Sequence, residues 1–225
     1  MLEAVMSPTG LVIFSGLAGS GKATTAYTAL DYINANSPCH ICTVEDAMTV
    51  QITPKKAIVQ QREIGVDVPN CLAGIHAAAR QDLDVLFIGE IKTFEELRAA
   101  ITIAETGHLV ITVFHSAAMP EDVIRRMIDV TPDELRDVTR RALAGALRGI
   151  STQILLPKEA KGRTAAYAVL IPDDEMRRAM LEERDFMDRK TLPEGSRTMA
   201  EDIEALRRDG VISDATATRA LAGLA

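Results

Sequence analysis

A glycine-rich stretch, Gly16-Leu17-Ala18-Gly19-Ser20-Gly21-Lys22-Ala23-Thr24, lies between a short apolar run and a helical pattern. Leu11–Ser15 reads as a buried strand and Lys22–Ile33 as the helix that follows the turn. Strand, glycine turn and helix, with a lysine at the helix start, are the setting in which G-x-x-x-x-G-K has a physical meaning. The glycines let the backbone curl until successive amides point inward. The helix N-terminus adds a field that favours anions. Lys22 adds a mobile positive charge. Gly16, Gly19, Ser20, Gly21, Lys22, Ala23 and Thr24 are therefore the candidate phosphate-binding residues. One position departs from the pattern: Ala23 stands where a Ser or Thr hydroxyl would ligate Mg²⁺. Thr24, about 100° further round the helix, does not replace it, and a water takes the empty ligand position. Losing such a ligand costs about 1–3 kcal/mol, or roughly ten- to a hundredfold in rate.

The rest of the chain repeats short apolar runs between longer helical patterns. Ile41–Val44, Ala57–Gln60, Val85–Gly89 and Leu109–Phe114 read as strands; Cys71–Arg80 and Thr93–Ile103 read as helices, the latter opened by a capping box of Thr93 and Glu96. Strands alternating with helices imply βαβ units and a mainly parallel sheet, an α/β fold. Further on, Glu121–Asp129 reads as a helix. Thr131-Pro132-Asp133-Glu134 reads as a second capping box, opening a helix to about Arg148. Thr152–Leu156 and Thr164–Ile171 read as strands joined by a turn at Glu159–Arg163. From Asp173 the pattern is charged and helical, broken near Leu192–Ser196 and Asp209–Gly210. The expected organisation is a core over 1–172 and a helical C-terminal tail over 173–225.

Charge and cysteine usage narrow the classes. A net charge of −7 argues against a surface that coats nucleic acid. Three cysteines cannot build a disulfide framework, which points to a reducing, cytoplasmic setting. Residues 4–21 carry no charge, but Glu3 precedes them and glycines fill their second half, so neither a signal peptide nor a membrane span is expected. Cys39, His40 and Cys42 lack the partner pair a zinc site needs.

Asp84-Val85-Leu86-Phe87-Ile88-Gly89-Glu90 is an apolar strand that ends in Gly and Glu. In parallel sheets, ligands sit at the carboxyl ends of strands, so Glu90 is expected beside the glycine-rich loop. A carboxylate there can hold Mg²⁺-bound water or polarise an attacking one.

These motifs, in this order, resemble the PilT/GspE family of type II and type IV secretion ATPases, and most of all its pilus-retraction (twitching motility) branch. The glycine-rich loop is followed by Thr43-Val44-Glu45-Asp46, which resembles the family's aspartate box. Gln61-Arg62-Glu63-Ile64-Gly65 is similar to a run typical of the retraction branch, and Ala79-Arg80-Gln81-Asp82-Leu83-Asp84 to its L-R-x-D-P-D. Glu90 matches the Walker B glutamate. Ala104-Glu105-Thr106-Gly107-His108-Leu109-Val110 with Phe114-His115-Ser116 resembles the histidine box, and Ile128-Asp129-Val130-Thr131-Pro132 the segment after it. The likeness runs from about residue 9 to 157.

The resemblance implies a RecA-like P-loop NTPase core that binds ATP and Mg²⁺ and hydrolyses ATP to drive a machine. Glu90, also as metal ligand, and Glu45 would position metal and water. His115 would respond to the phosphate region, and Arg62 and Arg80 would serve the active site or a subunit interface. Implied partners are further copies in a hexameric ring and an inner-membrane pilus or secretion platform protein, with the chain cytoplasmic or peripheral at that membrane. The departures define an alternative, a nucleotide-binding regulatory or structural subunit with little turnover. Ala23 is one departure. Ala47-Met48-Thr49 replaces the Pro-x-Glu that completes the aspartate box. The family's PAS-like domain before the core is expected to be absent, since the loop starts at Gly16. The tail at Asp174–Glu183 matches the family's retraction motif poorly. The paired arginines Arg125-Arg126, Arg140-Arg141, Arg177-Arg178 and Arg207-Arg208 read as solvated helix faces, and Met119, Met127, Met176, Met180 and Met187 as filler of a core or an interface.

Overall fold

The computed structural model describes residues 1–115, 119–182, 184 and 192–224. Its strands are β1 (Gly10–Ser15), β2 (His40–Glu45), β3 (Ile58–Glu63), β4 (Val85–Ile88), β5 (Leu109–Phe114), β6 (Leu147–Pro157) and β7 (Arg163–Leu170). They form one sheet in the order β3-β2-β4-β5-β1-β6-β7. Every pairing is parallel except that of β6 with β7. The helices are α1 (Leu2–Val5), α2 (Lys22–Asn36), α3 (Cys71–Ala78), α4 (Phe94–Glu105), α5 (Pro120–Asp129), α6 (Arg136–Ala146), α7 (Asp174–Leu181), α8 (Met199–Arg208) and α9 (Asp214–Ala222).

Both faces of the sheet are covered, which explains why its central strands read as unbroken apolar runs rather than alternations. Along β1, Leu11 and Ile13 point into a core shared with α3, α4, α5 and α6. Val12 and Phe14 point the other way, into a core with α1 and α2. Val85 and Phe87 of β4 join the second core, Leu86 and Ile88 the first. A third cluster, built on Met199, Ile203, Ile212 and Ala217, packs α8 and α9 against Leu156, Ala166 and Ala168 of the β6–β7 hairpin. Asp202 fastens this corner. Its buried carboxylate accepts from the Tyr167 amide at 2.8 Å and pairs with Arg197.

The capping box at Thr93 and Glu96 forms in full. The second one does not. The Thr131 hydroxyl is buried and donates to the Met127 carbonyl at 3.0 Å, closing the end of α5 instead of opening the next helix. A short 3₁₀ turn, Asp133–Leu135, intervenes, and α6 stops at Ala146 rather than running to Arg148. The reason is tertiary: Leu147 pairs with Leu11, so β6 starts five residues before the expected Thr152. α3 also ends early, at Ala78. Helix α1 has no counterpart in the sequence reading.

The arginine pairs bond largely within their own helices, as in Arg125–Asp122, Arg140–Asp137 and Arg207–Glu204. Arg177 is an exception. Its guanidinium satisfies the Ala144, Gly145 and Leu147 carbonyls at the end of α6, and burial lowers its pKa. Met127, Met176 and Met180 lie in the first core, and Met119 packs on the third cluster. Met187, Ser116 and Glu183 lie outside the described residues. No described helix is long and apolar enough to cross a membrane.

Candidate functional site

Because β1 to β5 all run in one direction, their carboxyl ends share one edge of the sheet. The glycine-rich loop follows β1 there. Glu90 follows β4, His115 follows β5, and Glu45 closes β2. Residues from 16 to 115 in sequence thus meet at one rim, the usual place for a ligand in such sheets.

The loop is tightly built. Gly16 has φ 148°, and a Cβ on it would lie 2.4 Å from the Ser20 Oγ and 2.6 Å from the Gln153 carbonyl oxygen. Gly21 has φ 87° and sits immediately before α2, where no side chain caps the first turn. The Ser20 amide donates to the Leu17 carbonyl at 3.1 Å, and the dipole of a fifteen-residue helix lies behind the uncapped first turn. Lys22 is only 6% exposed. Its Nζ donates to the Leu17 carbonyl at 3.1 Å, so the ammonium lies under the loop that it would share with an anion. Burial lowers its pKa, opposed by the Glu90 carboxylate. A buried ammonium so weakly compensated gains from any anion that enters.

Glu90 stands opposite, with the His115 Nε2 at 3.6 Å from its Oε1. Arg126 of α5 donates to the His115 carbonyl at 3.0 Å, tying the end of β5 to the next helix. Glu45 is only 4% exposed, and both its oxygens are engaged. The Thr43 hydroxyl donates to Oε1 at 2.7 Å, and the Tyr27 hydroxyl donates to Oε2. Asp46 instead faces solvent and pairs with Lys92. Ala23 and Thr24 are exposed on the first turn of α2.

Two expected site residues are not brought to Lys22, although Arg62 is at the carboxyl end of its strand, in register with Val44. Arg62 lies on β3, the edge strand four places from β1, and donates to Gln60. That separation is about 19 Å at the usual strand spacing. Arg80 follows α3 and precedes β4, so it sits at the opposite end of the sheet from Glu90, exposed. Within one chain neither meets Lys22.

Two residues that the sequence reading passed over belong to the site's framework. One is Tyr27. The other is Gln153 of β6, whose Nε2 donates to the Ser20 carbonyl at 2.7 Å and so holds the loop from beneath. Its signal was a lone amide directly after Ser151 and Thr152 in β6. Gln153 Oε1 is buried without a protein partner, as is Ser20 Oγ. Gln153→Leu removes a bond and an orphaned oxygen together. These terms are each about 1–3 kcal/mol and opposite in sign. Global stability should therefore move by less than about 1 kcal/mol, while amide exchange at Gly19–Lys22 accelerates. Unchanged exchange in that segment would show that the loop does not lean on Gln153.

Comparison with known proteins agrees with this geometry. The family model described as type II/IV secretion system protein matches residues 1–160. YggR of Escherichia coli is 37% identical over 169 residues, covering 75% of this chain and 52% of that protein. The type IV pilus retraction ATPase PilT of Pseudomonas aeruginosa is 36% identical over 177 residues, covering 79% of this chain and 51% of PilT. A crystal structure of the pilus retraction motor PilT with bound ADP matches with a TM-score of 0.88 at 35% identity, over 97% of this chain and 63% of that one. The chain spans about half the length of these curated relatives. With a RecA-like parallel sheet, a glycine-rich loop after β1 and a family match over most of its length, the chain belongs to the PilT/GspE family of type II/IV secretion system proteins.

Proposed function

We propose that this chain is the ATP-binding and ATP-hydrolysing core of a pilus-retraction or secretion-type motor. The observation that carries the reading is the meeting, at one rim of the sheet, of the buried Lys22 under its glycine loop with the Glu90–His115 pair. Lys22 and the amides of Gly19, Ser20 and Gly21 hold the terminal phosphates. Glu90 holds metal-bound water or orients the attacking one, Glu45 supports it, and His115, in contact with Glu90, responds to the phosphate. Glu90 would hold Mg²⁺, which would supply neutralisation of the phosphate charge. The donor set suits it: Glu90 is a partly exposed carboxylate, and water takes the place of the missing hydroxyl at Ala23.

Since Arg62 and Arg80 lie away from the loop of their own chain, they act across an interface in a homo-oligomeric, hexameric ring. The partner is an inner-membrane platform protein, and the chain works at the cytoplasmic face without nucleic acid. Residues 1–172 form the nucleotide-handling unit and 173–225 its appended helical tail. The ADP held by the related motor structure supports nucleotide as the ligand class.

Steady-state phosphate release with ATP and Mg²⁺ tests the reading, together with solution mass with and without nucleotide. Slow turnover is expected, falling by about a hundredfold or more in Glu90→Gln. Background turnover with intact ATP binding would replace the motor by a nucleotide-binding subunit. A stable monomer in both states would remove the ring.

A further inference from the structure

The buried cluster around Tyr27 is not explained by packing alone. Tyr27 lies on α2, five residues after Lys22, and is 8% exposed. Its ring meets that of Phe87 with centroids 5.5 Å apart, which fixes where the phenol points. The hydroxyl donates to Glu45 Oε2 and receives from the Thr49 hydroxyl at 3.4 Å. Thr49, Tyr27 and Glu45 thus form a chain of donors that ends on one carboxylate oxygen, while Thr43 supplies the other. Glu45 packs against Gly89, the residue before Glu90: a Cβ on Gly89 would lie 3.3 Å from the Glu45 Cα. The cluster therefore joins the helix that begins at Lys22 to the strand end that carries Glu90. Burial first, and the bond to Glu45 second, push the Tyr27 phenol up to about 12, so it remains a donor throughout the neutral range. Each carboxylate oxygen of Glu45 has two acceptor sites. One bond to each leaves an acceptor site open on both.

We propose that Tyr27 is a positioning residue of the site, acting on turnover only through the Glu45 carboxylate that its phenol holds in place. It rests on the reading of the rim as an ATP-hydrolysing site. A buried tyrosine that merely satisfied a buried glutamate would stabilise the fold and leave the kinetics alone. A positioning residue lowers the rate of the chemical step without weakening the binding of nucleotide.

A double-mutant cycle on the full chain separates the two: wild type, Tyr27→Phe, Glu45→Gln and the pair, measured for kcat, KM and ATP affinity. Tyr27→Phe keeps the ring against Phe87 and should lower kcat by about tenfold, with KM within about twofold. In the Glu45→Gln background the same change should cost nothing further. An unchanged kcat in Tyr27→Phe, or an equal fold-loss in both backgrounds, overturns the proposal. If Tyr27→Phe does not fold, Thr49→Val removes the donor behind the phenol. It should lower kcat by about two- to threefold, again only when Glu45 is present, and no loss overturns the proposal. A wild type that binds ATP but does not turn it over refutes hydrolysis. With no turnover for Tyr27 to act on, the proposal falls with it. A wild type that binds no ATP ends both.

Discussion

Lys22→Met is expected to reduce ATP affinity by on the order of a hundredfold or more, as two charge-assisted hydrogen bonds of about 1.5–3 kcal/mol each would require. The substitution keeps the aliphatic stem, so what is removed is the ammonium. Stability should move the other way. The ammonium is buried, its protein contact at the tip is the Leu17 carbonyl, and burial depresses its pKa. A lysine whose folded pKa lies below its unfolded one costs stability below the unfolded pKa, which includes neutral pH. Lys22→Met should therefore melt no lower than the wild type while isothermal titration with ATP loses its signal. Loss of both affinity and stability would show a structural lysine. Retained affinity would place the phosphates elsewhere. The opposite signs of the two readouts make the test independent of how well the variant folds.

The alternation of strand and helix was legible because the parallel strands are buried on both sides. Leu109–Phe114 is apolar at nearly every position for that reason, and the run coincides with β5. The errors came where a local signature met a tertiary demand. Thr131-Pro132-Asp133-Glu134 has the composition of a helix start, yet Thr131 is buried and bonds backwards to Met127. α6 has apolar residues enough to continue, but Leu147 is needed beside Leu11. Neither fact is contained in a window of ten residues. Helix α1 is too short, at four residues, to leave a period.

The site divides in the same way. The loop and Lys22 form one contiguous motif, and Glu90 ends one apolar strand, so elementary rules reach both. His115, Glu45, Arg62 and Arg80 were reached through family resemblance, and the structure treats them unequally. His115 and Glu45 come to the rim beside Glu90, while Arg62 stands at its far edge on β3 and Arg80 at the opposite end of the sheet. The supporting groups could not be read at all. Gln153 lies 133 residues from Ser20, and Tyr27 lies 18 from Glu45. Such pairs exist only once the sheet order is set, because β6 must stand beside β1 and β2 must stand three places away.

Ala23 is the departure whose repair gives the clearest gain. The residue is exposed at the first turn of α2, so a hydroxyl added there displaces no packed atom and disturbs neither core. Nearby hydroxyls do not supply the function. Thr25 points back along the helix to the Gly21 carbonyl at 3.4 Å, and Thr24 is rotated by about 100° from position 23. Ala23→Ser should raise Mg²⁺-dependent turnover by roughly ten- to a hundredfold, the equivalent of about 1–3 kcal/mol for one charged hydrogen-bonding ligand. The gain should fall on kcat and on the Mg²⁺ required for half-maximal rate, while ATP affinity without metal stays as it was. Helix propensity opposes the change by no more than about 0.5 kcal/mol, too little to hide the effect. A rate that does not rise would locate the limiting step in the aspartate-box segment, where Ala47-Met48-Thr49 offers no carboxylate. Introducing Thr49→Glu beside Ala23→Ser then decides between the two. That substitution also removes the hydroxyl that donates to Tyr27, so a combined rate above that of Ala23→Ser alone would mean the missing carboxylate outweighs the lost support of Glu45.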